Sequence, residues 1–292
     1  MMHSFSKIFE ALNWASSFLK EAGREEEAAK LLLCYHLDLT RSQLFFNMRE
    51  SFPQDKVEVF VRDVKKYADG TPVQHITGRE EFYGRMFQVN PHVLIPRPET
   101  EELVQGVLKR MDDLQSRDGA FQLADIGTGS GIIATTMALE ARNLDVLAVD
   151  ISEKALGTAQ HNAKMLGAEV TFFNGSFLEP IMERGVKLDI LVSNPPYIPR
   201  EEVMKLEDIV RDHEPILALA GGDDGLDCYR VIISQLPKVM KPNGLIAFEI
   251  GSGQGKDLEA FILSQYPKAT VEIEDDINGK ERMVFAFLND EN

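Results

Sequence analysis

Asn194-Pro195-Pro196-Tyr197 is where this 292-residue chain gathers its most specific chemistry. It follows directly on Leu188 to Ser193, which reads as a strand. Two adjacent prolines hold the backbone extended and remove two N–H donors, so carbonyls there can face a pocket without competing amides. The Asn194 side-chain oxygen and the Pro195 carbonyl are acceptors suited to an –NH2 group, and Tyr197 offers an aromatic wall for a flat amide or base.

A second constellation is Asp125-Ile126-Gly127-Thr128-Gly129-Ser130-Gly131, set between an expected strand and helix. Glycines there let the backbone turn sharply and approach a ligand. Asp150 ends the next expected strand, where a carboxylate can accept from both ribose hydroxyls of a nucleoside. The glycine spacing departs from the Gly-x-Gly-x-x-Gly of dinucleotide enzymes, which tilts the choice from NAD towards S-adenosylmethionine. Gly251-Ser252-Gly253-Gln254-Gly255-Lys256-Asp257 lacks the first glycine and the terminal Ser or Thr of a phosphate loop and reads as a loop after a strand.

The elements that must carry these stretches alternate. After Glu99 the pattern predicts helices over 101–114, 131–141, 153–166, 228–239 and 256–264. It predicts strands over 121–126, 146–150, 170–173, 188–193, 245–250, 270–274 and 282–287. That is an α/β fold with a mainly parallel sheet, and the Asn278-Gly279 turn makes the last strand antiparallel to its neighbour. The first seventy residues read as four helices with short connections, a small N-terminal bundle without a titratable cluster. Between them, Glu81 to Val89 suggests a hairpin turning near Tyr83-Gly84-Arg85, and Pro91, Pro96 and Pro98 punctuate an extended connector. The expected division is 1–72, 73–98 and 99–292.

Composition narrows the function classes. The net charge is −16, which opposes a nucleic-acid substrate because phosphate binding relies on clustered Lys and Arg. Cys34 and Cys228 are the only cysteines and form no CxxC pair; with His3, His36, His75, His92, His161 and His213 unpaired as ligands, no metal is expected. No apolar run reaches membrane-spanning length and the N-terminus lacks a targeting pattern, so no membrane association and a cytoplasmic location are expected.

Asn-Pro-Pro-Tyr in this position is shared by methyltransferases that act on a nitrogen conjugated to a planar system. Further stretches make the likeness specific: Gly70 to Gly78, Glu81-Phe82-Tyr83-Gly84, Leu94 to Glu101, the glycine loop, Ser193 to Ile198, Glu214-Pro215, Gly221-Gly222, Asp224 to Asp227 and Tyr229-Arg230. Over nearly its whole length the chain resembles the N5-glutamine methyltransferases of peptide chain release factors. The resemblance implies a class I S-adenosylmethionine-dependent methyltransferase fold, Rossmann-like, behind a helical domain that recognises the substrate.

It also implies methyl transfer from S-adenosylmethionine to the glutamine of the Gly-Gly-Gln loop of class 1 release factors, leaving S-adenosylhomocysteine, with the enzyme expected as a monomer. Gly127, Thr128, Gly129, Ser130, Gly131, Asp150, Phe177 and Asn194 would serve the cofactor; Asn194, Pro195, Pro196 and Tyr197 would serve the glutamine, with Asn194, Pro195 and Tyr197 catalytic. Asn174 to Phe177 aligns with an adenine-contacting stretch in which an acid often stands where this chain has Ser176. The alternative is an adenine-N6 methyltransferase of nucleic acids, which would need a basic track for its substrate. A cofactor-binding adaptor without catalysis and an NAD oxidoreductase are the more distant rivals.

Overall fold

The computed structural model describes residues 4–111, 114 and 120–289; His3 and positions 112–113 of the helix expected over 101–114 lie outside them. The chain divides into two compact units, Met1–Arg79 with Glu207–His213, and Glu80–Leu206 with Glu214–Asn292.

The first unit is helical: α1 (Ile8–Glu21), α2 (Glu27–Leu37), α3 (Arg41–Phe46), α4 (Val57–Ala68) and α5 (Val73–Thr77). Thr40 caps α3, its hydroxyl accepting from the Gln43 N–H while the Gln43 side chain accepts from the Thr40 N–H. The apolar stripe of α4, Val57, Phe60, Val61, Val64 and Tyr67, is buried, and packs with Leu19, Leu32 and Leu33. Helix α5 falls where the sequence pattern predicted no element. It is a single turn, entered from Pro72 and stopped by Gly78 in the left-handed conformation, too short to show a period. Arg24 reaches the short helix Asp208–Arg211 in a two-pronged ion pair, 2.7 Å at each contact, and also donates to the Ala68 carbonyl.

The second unit opens on the hairpin β1 (Arg79–Phe82) and β2 (Arg85–Gln88), whose turn puts Tyr83 and Gly84 at positive φ. There follow α6 (Pro98–Met111), β3 (Phe121–Ile126), α7 (Ile132–Glu140), β4 (Leu144–Asp150), α8 (Glu153–Leu166), β5 (Val170–Asn174), α9 (Glu179–Glu183), β6 (Leu188–Ser193) and α10 (Arg200–Val203). With Asp208–Arg211 counted as α11, the chain ends in α12 (Asp227–Val239), β7 (Met240–Glu249), α13 (Gly255–Gln265), β8 (Thr270–Asp275) and β9 (Glu281–Phe287).

Seven strands form one sheet in the order β5-β4-β3-β6-β7-β9-β8. The first five in that order run parallel, and β9 inserts antiparallel to both β7 and β8. Both faces are covered. On β6, Leu191 packs with Tyr229 and Phe248 on one side, while Ile190 and Val192 pack with Leu103 and Phe285 on the other. A strand buried on both faces reads as a nearly continuous apolar run, and β6 is buried along its whole length with Asp189 and Ser193 as its polar residues. From β3 the chain winds outward through β4 to β5, then returns to place β6 on the other side of β3. The order therefore reverses between β3 and β6, and open α/β sheets bind ligands at the carboxyl ends of such a pair.

Candidate active site

The glycine loop leaves β3 and the Asn-Pro-Pro-Tyr loop leaves β6, so both project from the reversal point. Ser193, fully buried at the end of β6, donates its hydroxyl to the Ile126 carbonyl at the end of β3 across 2.6 Å. Between these loops and the ends of β4 and β5 lies a cleft of about 370 Å³. Gly127, Thr128, Gly129, Ser130, Asp150, Phe177, Asn194, Pro195 and Pro196 line it, together with residues of the proline-rich connector from His92 to Thr100.

The glycine loop is set by hydrogen bonds to its neighbours. The Gly127 and Thr128 N–H groups donate to the Val149 carbonyl, and the Gly129 N–H donates to Asp150 Oδ2 at 2.9 Å. Behind it, fully buried Asp125 accepts from the Thr128 hydroxyl at 2.6 Å and the Ala134 N–H at 3.1 Å through one oxygen. Burial outweighs these bonds and pushes its carboxyl up to about 7. Gly131 does not line the cleft; it sits at φ +79° where a β-carbon would come within 2.8 Å of that of Ala159, so its role is the close approach of the loop to α8.

Asp150 presents both carboxylate oxygens at the rim, accepting from Gly129 and from the Ser152 N–H at 2.8 Å, and burial raises its pKa. Each oxygen keeps a lone pair for a further donor. Phe177 adopts a left-handed backbone, φ +47°, a conformation that costs a non-glycine residue about 1–2 kcal/mol. It follows Gly175 and Ser176, both on the cleft wall; a hydroxyl stands at Ser176, with no carboxylate at that position.

The residues fit an adenosyl sulfonium donor. Gly127 and Gly129 line the cleft with no β-carbon, and one built on either would meet no protein atom closer than about 4 Å. Acceptors stand at Asp150 for ribose hydroxyls, and apolar groups at Phe177, Ile151 and Ile232 for a base.

On the β6 side, Asn194 and the two prolines face the cleft, whereas Tyr197 does not line it. The Tyr197 hydroxyl turns inward, 3.5 Å from Glu249 Oε1 and 3.5 Å from Arg282 Nη1, and burial pushes it up to about 12. Three glycines and a glutamine hold this loop. A β-carbon on Gly221 would lie 2.5 Å from the Pro196 carbonyl oxygen, and one on Gly225 2.2 Å from that of Tyr197. Gln254 Nε2 donates to the Tyr197 carbonyl at 3.1 Å, and Gln254 Oε1 accepts from the Gly251 N–H. Residues 251–254 are thus a loop after β7, as expected, and they buttress the reactive turn, whereas residues 255–257 of that stretch form the first turn of α13.

Two buried acids behind the cleft were given no role at the site by the sequence. Glu214 accepts the Ile95 N–H at 3.0 Å and Arg97 Nη2 at 2.5 Å, fastening the connector along the cleft. Glu249, at the end of β7, accepts from the Thr100 hydroxyl at 2.7 Å, and Thr100 Oγ1 in turn accepts from Asn194 Nδ2 at 3.2 Å. Glu214-Pro215 was visible as a motif; Glu249 ends an apolar strand with no signal of its own.

Comparison with known proteins bears on this geometry. Residues 10–78 match the profile of the PrmC N-terminal domain, and residues 106–222 that of the methyltransferase small domain. The chain is 50% identical over 282 residues to the release factor glutamine methyltransferase of Bacillus anthracis, covering 97% of this chain and 99% of that one. The enzyme of the same name from Bacillus subtilis is also 50% identical, at 97% and 98% coverage. Among solved structures, the hMettl16 catalytic domain in complex with MAT2A 3′UTR hairpin 6 superposes with a TM-score of 0.56 at 16% identity, covering 78% of this chain and 83% of that one. That likeness is one of fold: a class I methyltransferase sheet.

Proposed function

The chain belongs to the release factor glutamine methyltransferases, and from that membership we propose that it methylates the side-chain amide nitrogen of the glutamine in the Gly-Gly-Gln loop of class 1 release factors. The observation that carries the proposal is the pairing of Asn194 and Pro195 with the glycine loop and Asp150 around one cleft. S-adenosylmethionine would supply a methyl group on a sulfonium, electrophilic without metal or acid assistance.

Asp150 would take the ribose hydroxyls, the Gly127-to-Gly131 loop the backbone side of the donor, and Phe177 the adenine. Asn194 Oδ1 and the Pro195 carbonyl would each accept one hydrogen of the glutamine –NH2. An amide nitrogen is a poor nucleophile: breaking its resonance costs on the order of 18–20 kcal/mol, judged by the peptide rotation barrier. Two hydrogen bonds at about 0.5–1.5 kcal/mol each cannot supply this. Orientation supplies more, roughly 7–11 kcal/mol for well-placed partners. Asn194 and Pro195 therefore act chiefly by aiming the lone pair, and their partial negative charges favour the charge that develops on nitrogen. Tyr197, beside the cleft, would offer its ring to the arriving loop, and the N-terminal unit would recognise the body of the release factor. The protein is expected to act as a cytoplasmic monomer that binds no nucleic acid directly.

The test is transfer of labelled methyl from S-adenosylmethionine to a class 1 release factor, beside its Gln→Ala loop variant and a DNA control. Label in the intact factor alone supports the proposal. Label in DNA, or in the Gln→Ala variant, refutes it and returns the adenine alternative or another acceptor.

A further inference from the structure

We infer that Glu249 is a positioning residue for this reaction: through the Thr100 hydroxyl, its carboxylate determines which way round the Asn194 amide sits. The inference rests on the proposed role of Asn194 Oδ1 as acceptor for the substrate amide.

The two ends of an asparagine amide are nearly the same shape, and a half-turn exchanges an acceptor for a donor. Only one orientation can hold a substrate N–H. Thr100 Oγ1 carries one hydrogen, and that hydrogen goes to Glu249 Oε2 at 2.7 Å. An ionised carboxylate only accepts, so the Thr100 hydroxyl can offer nothing but a lone pair to the next residue. Asn194, which lines the cleft, meets it with Nδ2 at 3.2 Å, and this leaves Oδ1 free of the Thr100 contact. Remove the carboxylate, and the Thr100 hydrogen is free to turn to Asn194 Oδ1 and occupy the acceptor the substrate needs.

The surroundings of Glu249 argue that the acid is there for more than the strand. Its neighbours in β7 and after, Phe248 and Ile250, are fully buried apolar residues, and Glu249 itself is 1% exposed. A buried carboxylate is costly where an apolar side chain would serve packing better. Among the described residues no ion pair with an exposed partner compensates it. Arg282 faces it from β9 and favours the charge, Glu99 of α6 opposes it, and the Tyr197 and Tyr229 hydroxyls lie nearby, the latter donating to the Glu249 carbonyl at 2.6 Å. Burial dominates and pushes the carboxyl up to about 7, despite the Thr100 hydrogen bond and the weaker pull of the nearby Asn194 amide. Protonation would let Glu249 donate and so release the Thr100 hydrogen, which makes the orientation of Asn194 sensitive to pH near neutrality.

The experiment uses the full-length protein as wild type, Glu249→Leu, Glu249→Gln, Thr100→Val and Thr100→Ser. Methyl transfer to the release factor gives kcat, and calorimetry gives the S-adenosylmethionine Kd. With asparagine labelled by nitrogen-15, NMR follows hydrogen exchange of the Asn194 side-chain amide without any substrate. Glu249→Leu and Thr100→Val should lower kcat by about tenfold or more while the donor Kd stays within about threefold, and Thr100→Ser should restore turnover. Protection of one Asn194 amide proton should be lost in Thr100→Val and kept in Thr100→Ser. In Glu249→Gln, which cannot ionise, the acid limb of the wild-type kcat profile should vanish. Wild-type kcat and protection in Thr100→Val would overturn the inference, as would an acid limb that persists in Glu249→Gln or a kcat loss matched by lost donor affinity. Should Glu249→Leu not fold, Thr100→Val and Glu249→Gln carry the test. A wild-type enzyme that methylates no release factor would refute the proposed reaction, and the exchange of Asn194 would still decide the relay.

Discussion

Ser193 and Ile126 are 67 residues apart in sequence, and a 2.6 Å hydrogen bond from the Ser193 hydroxyl to the Ile126 carbonyl joins them where the strand order reverses. Their next residues are Asn194 and Gly127, so this one bond sets the reactive turn against the glycine loop. Ser193→Ala leaves a buried carbonyl without its partner, a loss of about 1–3 kcal/mol. The expected outcome is a melting temperature lower by several degrees together with a fall in kcat larger than that of a surface Ser→Ala control, measured by calorimetry and methyl transfer. An unchanged kcat would mean the strands alone fix the two loops.

Asp150 should govern donor affinity and little else. Two hydrogen bonds to a charged acceptor are worth about 1.5–3 kcal/mol each, so Asp150→Ala should raise the donor Kd by at least about tenfold. Turnover at saturating donor should stay near wild type. Asp150→Asn, which retains one oxygen for the Gly129 N–H, separates ligand contact from loop support. Titration calorimetry on the three proteins checks this, and an unaltered Kd would remove Asp150 from the donor site.

Asp125 and Glu249 make a statement about stability against pH. Both are fully buried and both are raised to about 7 in the folded protein. An acid whose folded pKa lies above its unfolded value contributes stability that is fully present below the unfolded pKa, near 4, and is lost as pH rises towards 7. Asp125→Asn and Glu249→Gln should therefore flatten the fall in urea midpoint between pH 4 and pH 8. Wild-type slopes in both variants would contradict the assigned shifts.

Gly221 answers for the shape of the reactive turn. A β-carbon there would meet the carbonyl oxygens of Pro196 and Gly225 at 2.5 and 2.8 Å, and backbone atoms cannot swing aside. Gly221→Ala should cost about 1–3 kcal/mol, as overpacked sites do, and should lower kcat more than it weakens donor binding. Gly157→Ala, with no atom within 4 Å of the new carbon and far from the turn, is the control, followed by thermal denaturation and steady-state kinetics.

What the sequence disclosed and what it hid follow from the range of the interactions. β3 and α8 fall at Phe121–Ile126 and Glu153–Leu166, where they were expected, because a short strand-like run and a 3.6-residue period are local signals. The single-turn helices Val73–Thr77, Glu179–Glu183, Arg200–Val203 and Asp208–Arg211 carry too few residues to show any period. At the site, Asn194, Asp150 and the glycine loop announce themselves through residue type at a strand end. Glu249 does not, since its meaning lies in a contact with Thr100, 149 positions earlier. Tyr197 was legible as an aromatic beside the prolines, but the inward turn of its hydroxyl depends on Glu249 and Arg282, which only the folded sheet brings near.

Asn194 carries the central claim, and its removal tests it most directly. Single-turnover methyl transfer to a class 1 release factor should be measured for wild type and Asn194→Ala, with donor and acceptor saturating and the donor Kd determined in parallel. The account predicts a rate lower by about 100-fold, the order found when one preorganised polar contact to a reacting group is lost, with the donor Kd changed by no more than about threefold. Equal rates in the two proteins would contradict it, because the oxygen that is meant to hold the glutamine amide would then be dispensable.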